Sequence, residues 1–263
     1  MPKRSLGQNF LINTQIIDKI IQFSGLKQGE TVLEIGPGKG ALTKKLSDIA
    51  GRVVAVEKDN DLAESLKAHF RGIPCIEVKN ADILECDMAS IVPAGSCLIA
   101  NLPYNIATVI ITSLLNFPSH FSSATVMVQK EVGERICAEP GSKPYSALSV
   151  LMASCFYASL GPVVEPGNFF PKPKVDSILI RLLPKNDPAS PEILAVLKQV
   201  IFCSFNSRRK MLRNSLSNLP EMTAEMLPAL AKSSGIDFSR RPQELDLLEF
   251  LKLTRSYVET VVR

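Results

Sequence analysis

The chain has 263 residues, 46% of them hydrophobic and 21% charged, with a formal net charge of +4. That is enough for one large domain, or a large domain with a small one, and it excludes a disordered or fibrous chain. The six cysteines form no C-x-x-C pair and only two histidines accompany them, so no metal site is expected and the cysteines read as small core side chains. The uncharged stretches 88–129 and 144–164 are each broken by Pro, Gly or clustered Ser. They therefore read as buried core rather than membrane spans, and with no secretory signal at the start the expected location is cytoplasmic.

In chain order, apolar residues from Thr14 to Phe23 recur at helical spacing and stop at Gly25. Strands are then expected at 31–35, 52–57, 75–78, 96–100 and 124–128, alternating with helices at 41–49, 59–70 and 106–117. This alternation predicts an α/β fold, a Rossmann-like parallel sheet with helices on both faces. Two further strands, 156–164 and 176–183, are expected to pair as an antiparallel edge. The polar, proline-rich segment 184–191 reads as a linker. Beyond it the periodicity is helical only, near 192–205, 208–217, 223–233 and 243–259. The expected division is a catalytic domain at 1–184 and a small all-helical domain at 185–263.

Charge is uneven along the chain. Residues 1–167 carry 15 Lys and Arg against 16 Asp and Glu, whereas 168–263 carry 15 against 10. A basic end on a neutral body points toward a polyanionic partner.

The stretch LEIGPGKG (33–40) places a glycine-rich turn at the end of the first sheet strand, where open α/β sheets bind nucleotides. Glu57 closes the second strand, nineteen residues after Gly38, and a carboxylate there can accept both hydroxyls of a ribose. Gly36-x-Gly38-x-x-Ala41 also satisfies the loose dinucleotide fingerprint, so a nicotinamide enzyme stays open at this point. Asp82, after the third strand, can accept from an adenine amine or simply cap a helix.

Asn101-Leu102-Pro103-Tyr104 follows the fourth strand. The exocyclic amine of adenine is a poor nucleophile because its lone pair is delocalised into the ring. Acceptors that bind both of its hydrogens draw the nitrogen toward tetrahedral geometry. The Asn101 side-chain oxygen and the Leu102 carbonyl can do this, Pro103 stiffens the turn, and Tyr104 can stack on an extruded base. Asn is too weak a base to abstract a proton, so its contribution is orientation and electrostatics. A dehydrogenase would need a proton donor, and neither His69 nor His120 sits at an expected strand end.

With these residues assembled, the chain resembles the ribosomal RNA adenine N6,N6-dimethyltransferases over nearly its whole length. Gly7-Gln-Asn-Phe-Leu11 resembles the family's opening motif, and Glu34-Ile-Gly-Pro-Gly38 its methionine-binding loop. The resemblance implies a class I methyltransferase sheet and S-adenosylmethionine as cofactor, held by Asn9, Leu11, Gly36, Gly38, Glu57, Asp82 and Asn101. Phe169-Phe-Pro-Lys-Pro-Lys-Val-Asp-Ser177 resembles the late motif, which puts Phe170 near the flipped base. Residues 205–214 and 241–245 resemble the bacterial small-subunit enzyme. That likeness implies dimethylation of two adjacent adenosines in a hairpin near the 3′ end of 16S rRNA, on a small subunit or its precursor; nothing in the sequence demands more than a monomer, which is the expected state.

The run Arg208, Arg209, Lys210 and Arg213 is expected on one helix, where 209 and 213 share a face and can neutralise phosphates. Taken alone such a run also fits a solvated helix face; the resemblance favours RNA contact. Three rivals follow. A large-subunit adenine methyltransferase of the macrolide-resistance type shares the motifs through Ser177. A non-catalytic ribosome-assembly or transcription factor could use the same scaffold, and a nicotinamide oxidoreductase is the most distant.

Overall fold

The computed structural model describes residues 8–207 and 210–261. A short strand, β1 (Phe10–Leu11), leads into α1 (Thr14–Ser24), which Asn13 caps by accepting from the Gln15 N–H and which ends on left-handed Gly25. The alternation then runs β2 (Thr31–Ile35), α2 (Ala41–Ser47), β3 (Arg52–Glu57), α3 (Asn60–His69), β4 (Ile76–Asn80), α4 (Met88–Ile91), β5 (Ser96–Asn101), α5 (Ala107–Ser113) and β6 (Phe121–Gln129). It continues with α6 (Lys130–Ile136), α7 (Ala147–Cys155), β7 (Phe156–Val164), β8 (Phe169–Phe170) and β9 (Ser177–Pro184). Four helices close the order: α8 (Pro191–Phe205), α9 (Leu212–Leu216), α10 (Leu227–Ser234) and α11 (Leu247–Val261).

The main sheet has the order β4-β3-β2-β5-β6-β9-β7. Strands β2 to β6 run parallel, and β9 is antiparallel to β6. The central strands are apolar on both faces because helices cover both: Val32, Leu33, Val53, Val54, Leu98, Ile99 and Val126 are fully buried. Strand order reverses beside β2, whose neighbours are β3 on one side and β5 on the other, so the loops after β2 and β5 flank a crevice.

A second, two-stranded sheet was absent from the sequence expectation. β1 pairs antiparallel with β8, Phe10 opposite Phe170 and Leu11 opposite Phe169. Asn13 and Asn168 fasten its ends, with the Asn13 amide donating to Asn168 Oδ1 at 2.8 Å and the Ile12 N–H to the Asn168 carbonyl at 2.9 Å. Two residues per strand carry no readable periodicity, so nothing local announces the pairing.

The chain divides into two compact units, one running through Gly133 and including Tyr157–Lys185, the other comprising Glu134–Phe156 and the residues from Asn186 on. This differs from the expected 1–184 and 185–263 split in assigning 134–156 to the helical unit. The cause is specific packing: α7 lies on α8, and the Tyr145 hydroxyl donates to the Leu245 carbonyl at 2.8 Å. The helical unit has its own core of Leu197, Val200, Ile201, Phe250 and Leu253, with Phe205 stacked on Phe250. Its basic segment also differs from expectation. Arg208 and Arg209 lie outside the described residues, and Met211 is extended (φ −66°, ψ 152°), so the helix starts only at Leu212. The Leu212 and Arg213 amides donate to the carbonyls of Arg240 and Phe238, which holds the chain against that segment. Lys210 and Arg213 are both exposed, but they do not share one helix face.

Among the described residues no helix is long and apolar enough to cross a membrane, and no cluster of His, Cys, Asp and Glu could hold a metal.

Candidate cofactor and target-base site

A pocket opens where the crevice meets β1, lined by the ends of β2, β3 and β5 and by residues 81–84. The glycine loop after β2 is as tight as its sequence requires. Gly36 and Gly38 both take positive φ, 66° and 60°. A methyl group on Gly38 would lie 2.8 Å from the Phe10 ring, and one on Gly36 would touch the Pro103 ring at 3.4 Å. The two glycines thus let the opening strand and the Asn101–Tyr104 turn close over the loop.

Glu57, 6% exposed at the end of β3, accepts from the Gly38 N–H at 3.1 Å through one oxygen and from the Asp59 N–H at 2.9 Å through the other. Burial pushes its carboxyl up, and those two backbone donors oppose the rise. Each oxygen retains a lone pair, so a diol can still be bound. Asp82 caps the short helical turn 83–85 by accepting from the Leu84 N–H at 3.0 Å, and its other oxygen accepts from Lys58 Nζ at 2.5 Å. The structure therefore shows Asp82 as a helix cap on the pocket wall.

The tetrapeptide is built from two directions. Asn101 ends β5, and its Nδ2 donates to the Asn9 carbonyl at 3.2 Å, joining the opening segment to the catalytic turn. That bond fixes which way the amide faces. Its Oδ1 is then buried in the pocket wall with no hydrogen-bond partner. An orphaned buried acceptor costs about 1–3 kcal/mol, so it marks a place for a donor that arrives from outside. Leu102 is 1% exposed and its N–H donates to the Met127 carbonyl, which sets the turn on the sheet. The Tyr104 hydroxyl and Ser177 Oγ are hydrogen-bonded at 2.5 Å, tying the tetrapeptide to the end of the late motif, and burial raises the Tyr104 phenol. Phe170 is 58% exposed on β8, beyond Phe10.

Asn9, Leu11, Gly36, Gly38, Glu57, Asp82 and Asn101 through Tyr104 all line this one pocket. Phe170 does not line it but stands on the adjoining strand. Lys210 and Arg213 belong to the other unit. Several pocket residues went unassigned from sequence. Glu34 is 1% exposed, its Oε2 has no partner, and burial pushes its carboxyl up to about 8. Thr43 lies near enough to oppose that rise without meeting hydrogen-bond geometry. Gln8, which donates to Asp59 at 3.1 Å, and Lys58 also line the pocket. Glu34 was legible in principle, as an acidic residue inside an otherwise apolar strand; Lys58 follows a strand end and carried no signal.

Fold and site together define a class I S-adenosylmethionine-dependent methyltransferase: the seven-stranded sheet with its antiparallel β9, the glycine loop, and a strand-end carboxylate beside it. The chain belongs to the ribosomal RNA adenine dimethylase family, whose profile matches residues 2–255. It is 40% identical to the "Ribosomal RNA small subunit methyltransferase A" of Xanthobacter autotrophicus, over 98% of this chain and 90% of that one. Identity to the protein of the same name from Geobacter sulfurreducens is also 40%, over 96% and 94%. Among solved structures, a dimethyladenosine transferase from Plasmodium falciparum superposes with a TM-score of 0.81 at 26% identity, covering 95% of this chain and 98% of that one. The 23S rRNA methyltransferase ErmE gives 0.72 at 28%, covering 97% and 100%.

Proposed function

We propose that this protein dimethylates N6 of two adjacent adenosines in a hairpin near the 3′ end of 16S rRNA, on a small ribosomal subunit or its precursor in the cytoplasm, acting as a monomer. The observation that carries the chemistry is the orphaned Asn101 Oδ1, a buried acceptor on a residue that lines the nucleotide pocket.

The residues present fit S-adenosylmethionine. Glu57 would hold the ribose through its free lone pairs, Asp82 the adenine amine, and Gly36 and Gly38 leave room for the methionine end beside Asn9 and Leu11. When bound, that cofactor supplies an electrophilic methyl group on a sulfonium centre. Asn101 Oδ1 and the Leu102 carbonyl accept the two hydrogens of the target amine and localise its lone pair. Asn101 cannot take up the released proton, so its effect is electrostatic and positional. Tyr104, with its hydroxyl held by Ser177, presents a ring face for the flipped base, and exposed Phe170 stands at the next strand to cover it.

The domain roles follow as part of the proposal: the sheet unit catalyses and the helical unit binds RNA. Of the surplus in 168–263, however, residues 168–185 carry four basic side chains against Asp176 alone. Lys172 and Lys174, within the late motif, would then share phosphate contact with Lys210, Arg213 and the run at 208–209.

Small-subunit specificity is supported by 40% identity, over nearly the whole chain, to proteins named small-subunit methyltransferases. The test uses methyl-labelled S-adenosylmethionine with both ribosomal subunits from cells lacking the modification, followed by nucleoside analysis. N6,N6-dimethyladenosine confined to small-subunit RNA is expected. Label in large-subunit RNA would make the protein a resistance-type enzyme, and RNA binding without label would make it a non-catalytic factor.

A further inference from the structure

The base end of the pocket holds a charged pair, Lys58 and Asp82, of which the chemistry above uses only Asp82. Lys58 directly follows β3 and Asp82 closely follows β4, two strands paired in parallel with Glu57 opposite Asn80. The backbone stitches these strand ends together. The Ala81 N–H donates to the Glu57 carbonyl at 3.1 Å, and Asn80 Nδ2 donates to the carbonyls of Glu57 at 3.0 Å and Lys58 at 3.5 Å. Across that seam Lys58 Nζ reaches Asp82 Oδ2 at 2.5 Å, while Oδ1 takes the Leu84 N–H at 3.0 Å. Both Lys58 and Asp82 line the pocket.

We propose that Lys58 is a positioning residue that makes the base end of the cofactor slot selective for a 6-amino purine, by holding Asp82 as an oriented, acceptor-only carboxylate. The inference rests on the S-adenosylmethionine reading of the pocket. A carboxylate with one fixed donor on each oxygen cannot rotate freely, and it keeps one lone pair per oxygen for a ligand. It rewards a ring substituent that donates, as the 6-amino group does, and repels one that only accepts, as a 6-oxo group does. The same ammonium keeps the Asp82 carboxyl below the usual carboxylate range, so it does not become a donor near neutral pH. With its Lys58 end 56% exposed, the ion pair contributes little to folding, and ligand selection is the better account of its placement.

The test measures Kd by calorimetry on the full-length protein for S-adenosylhomocysteine and for its inosine counterpart, with oxygen in place of the 6-amino group. The wild type should favour the amino ligand by about 10- to 100-fold, the range of a hydrogen bond to a charged group. Lys58→Met keeps the aliphatic stem and should narrow that ratio about fivefold or more, and Lys58→Arg should restore it. An unchanged ratio in Lys58→Met, or equal weakening of both ligands, would overturn the inference. Failure of the wild type to bind S-adenosylhomocysteine at all would overturn the cofactor reading, and the inference with it.

Discussion

The two halves of the pocket differ in how far their polar groups are satisfied. On the cofactor side, both oxygens of Glu57 and both of Asp82 already accept hydrogen bonds, and Gly38 is pinned between Glu57 and the Phe10 ring, which leaves Glu34 Oε2 as the unpartnered side-chain oxygen there. On the target side, Asn101 Oδ1 has no partner, and outside the pocket Phe170 on the adjoining strand is exposed. Preorganised groups bind a ligand with little reorganisation, whereas an orphaned acceptor is an energetic debt settled only by an incoming donor. The contrast separates holding the methyl donor from activating the adenine, and each half can be damaged without the other.

Asn101→Ala is expected to have the largest effect, lowering single-turnover methyl transfer by about 10²–10³-fold, as loss of a preorganised catalytic hydrogen-bonding group does. Cofactor affinity, titrated on the same variant, should change far less. Comparable loss of both would erase the boundary between the halves. Glu57→Gln sharpens the contrast from the other side. Its amide NH2 must face either the Gly38 or the Asp59 N–H, so cofactor affinity should fall about 10- to 100-fold by calorimetry. Tyr104→Ala comes next, weakening capture of the target base by about 1–3 kcal/mol in RNA binding or KM while sparing cofactor affinity.

Glu34 yields a smaller, pH-dependent effect. Its folded-state value of about 8 lies above the ordinary 4.5, so between those values the folded protein holds a proton that the unfolded chain has released. Stability therefore falls as pH rises through this window, and the slope ends near pH 8. Glu34→Gln should flatten that decline in denaturant titrations from pH 5 to 8; an identical slope would show that Glu34 is ionised in the fold. The smallest effect is expected from Lys210→Ala with Arg213→Ala, which should reduce the salt slope of RNA binding by about one to two and leave transfer at saturating RNA intact.

The cofactor half was the more legible in sequence, for a physical reason. Its residues sit at strand ends fixed by local apolar periodicity, so the offset from Gly38 to Glu57 and the position of Asp82 could be read along the chain. The target half depends on long-range pairing. Phe10 opposite Phe170, Asn9 against Asn101, and Tyr104 against Ser177 each join distant segments. Family resemblance placed Asn9 and Phe170 near the site, but nothing local announced the small β1–β8 sheet. The helical unit shows the same limit: residues 134–156 pack with α8 through tertiary contacts, and Lys210 leaves the helix because neighbouring amides bond to 238–240.

The most direct test of the contrast is a calorimetric titration of the RNA-free protein with S-adenosylhomocysteine, run beside Glu57→Gln and Asn101→Ala. A cofactor half complete before RNA arrives should give saturable one-to-one binding in the wild type, near-normal binding in Asn101→Ala and a large loss in Glu57→Gln. Binding that appears only when RNA is added, or that fails equally in both variants, would contradict the account.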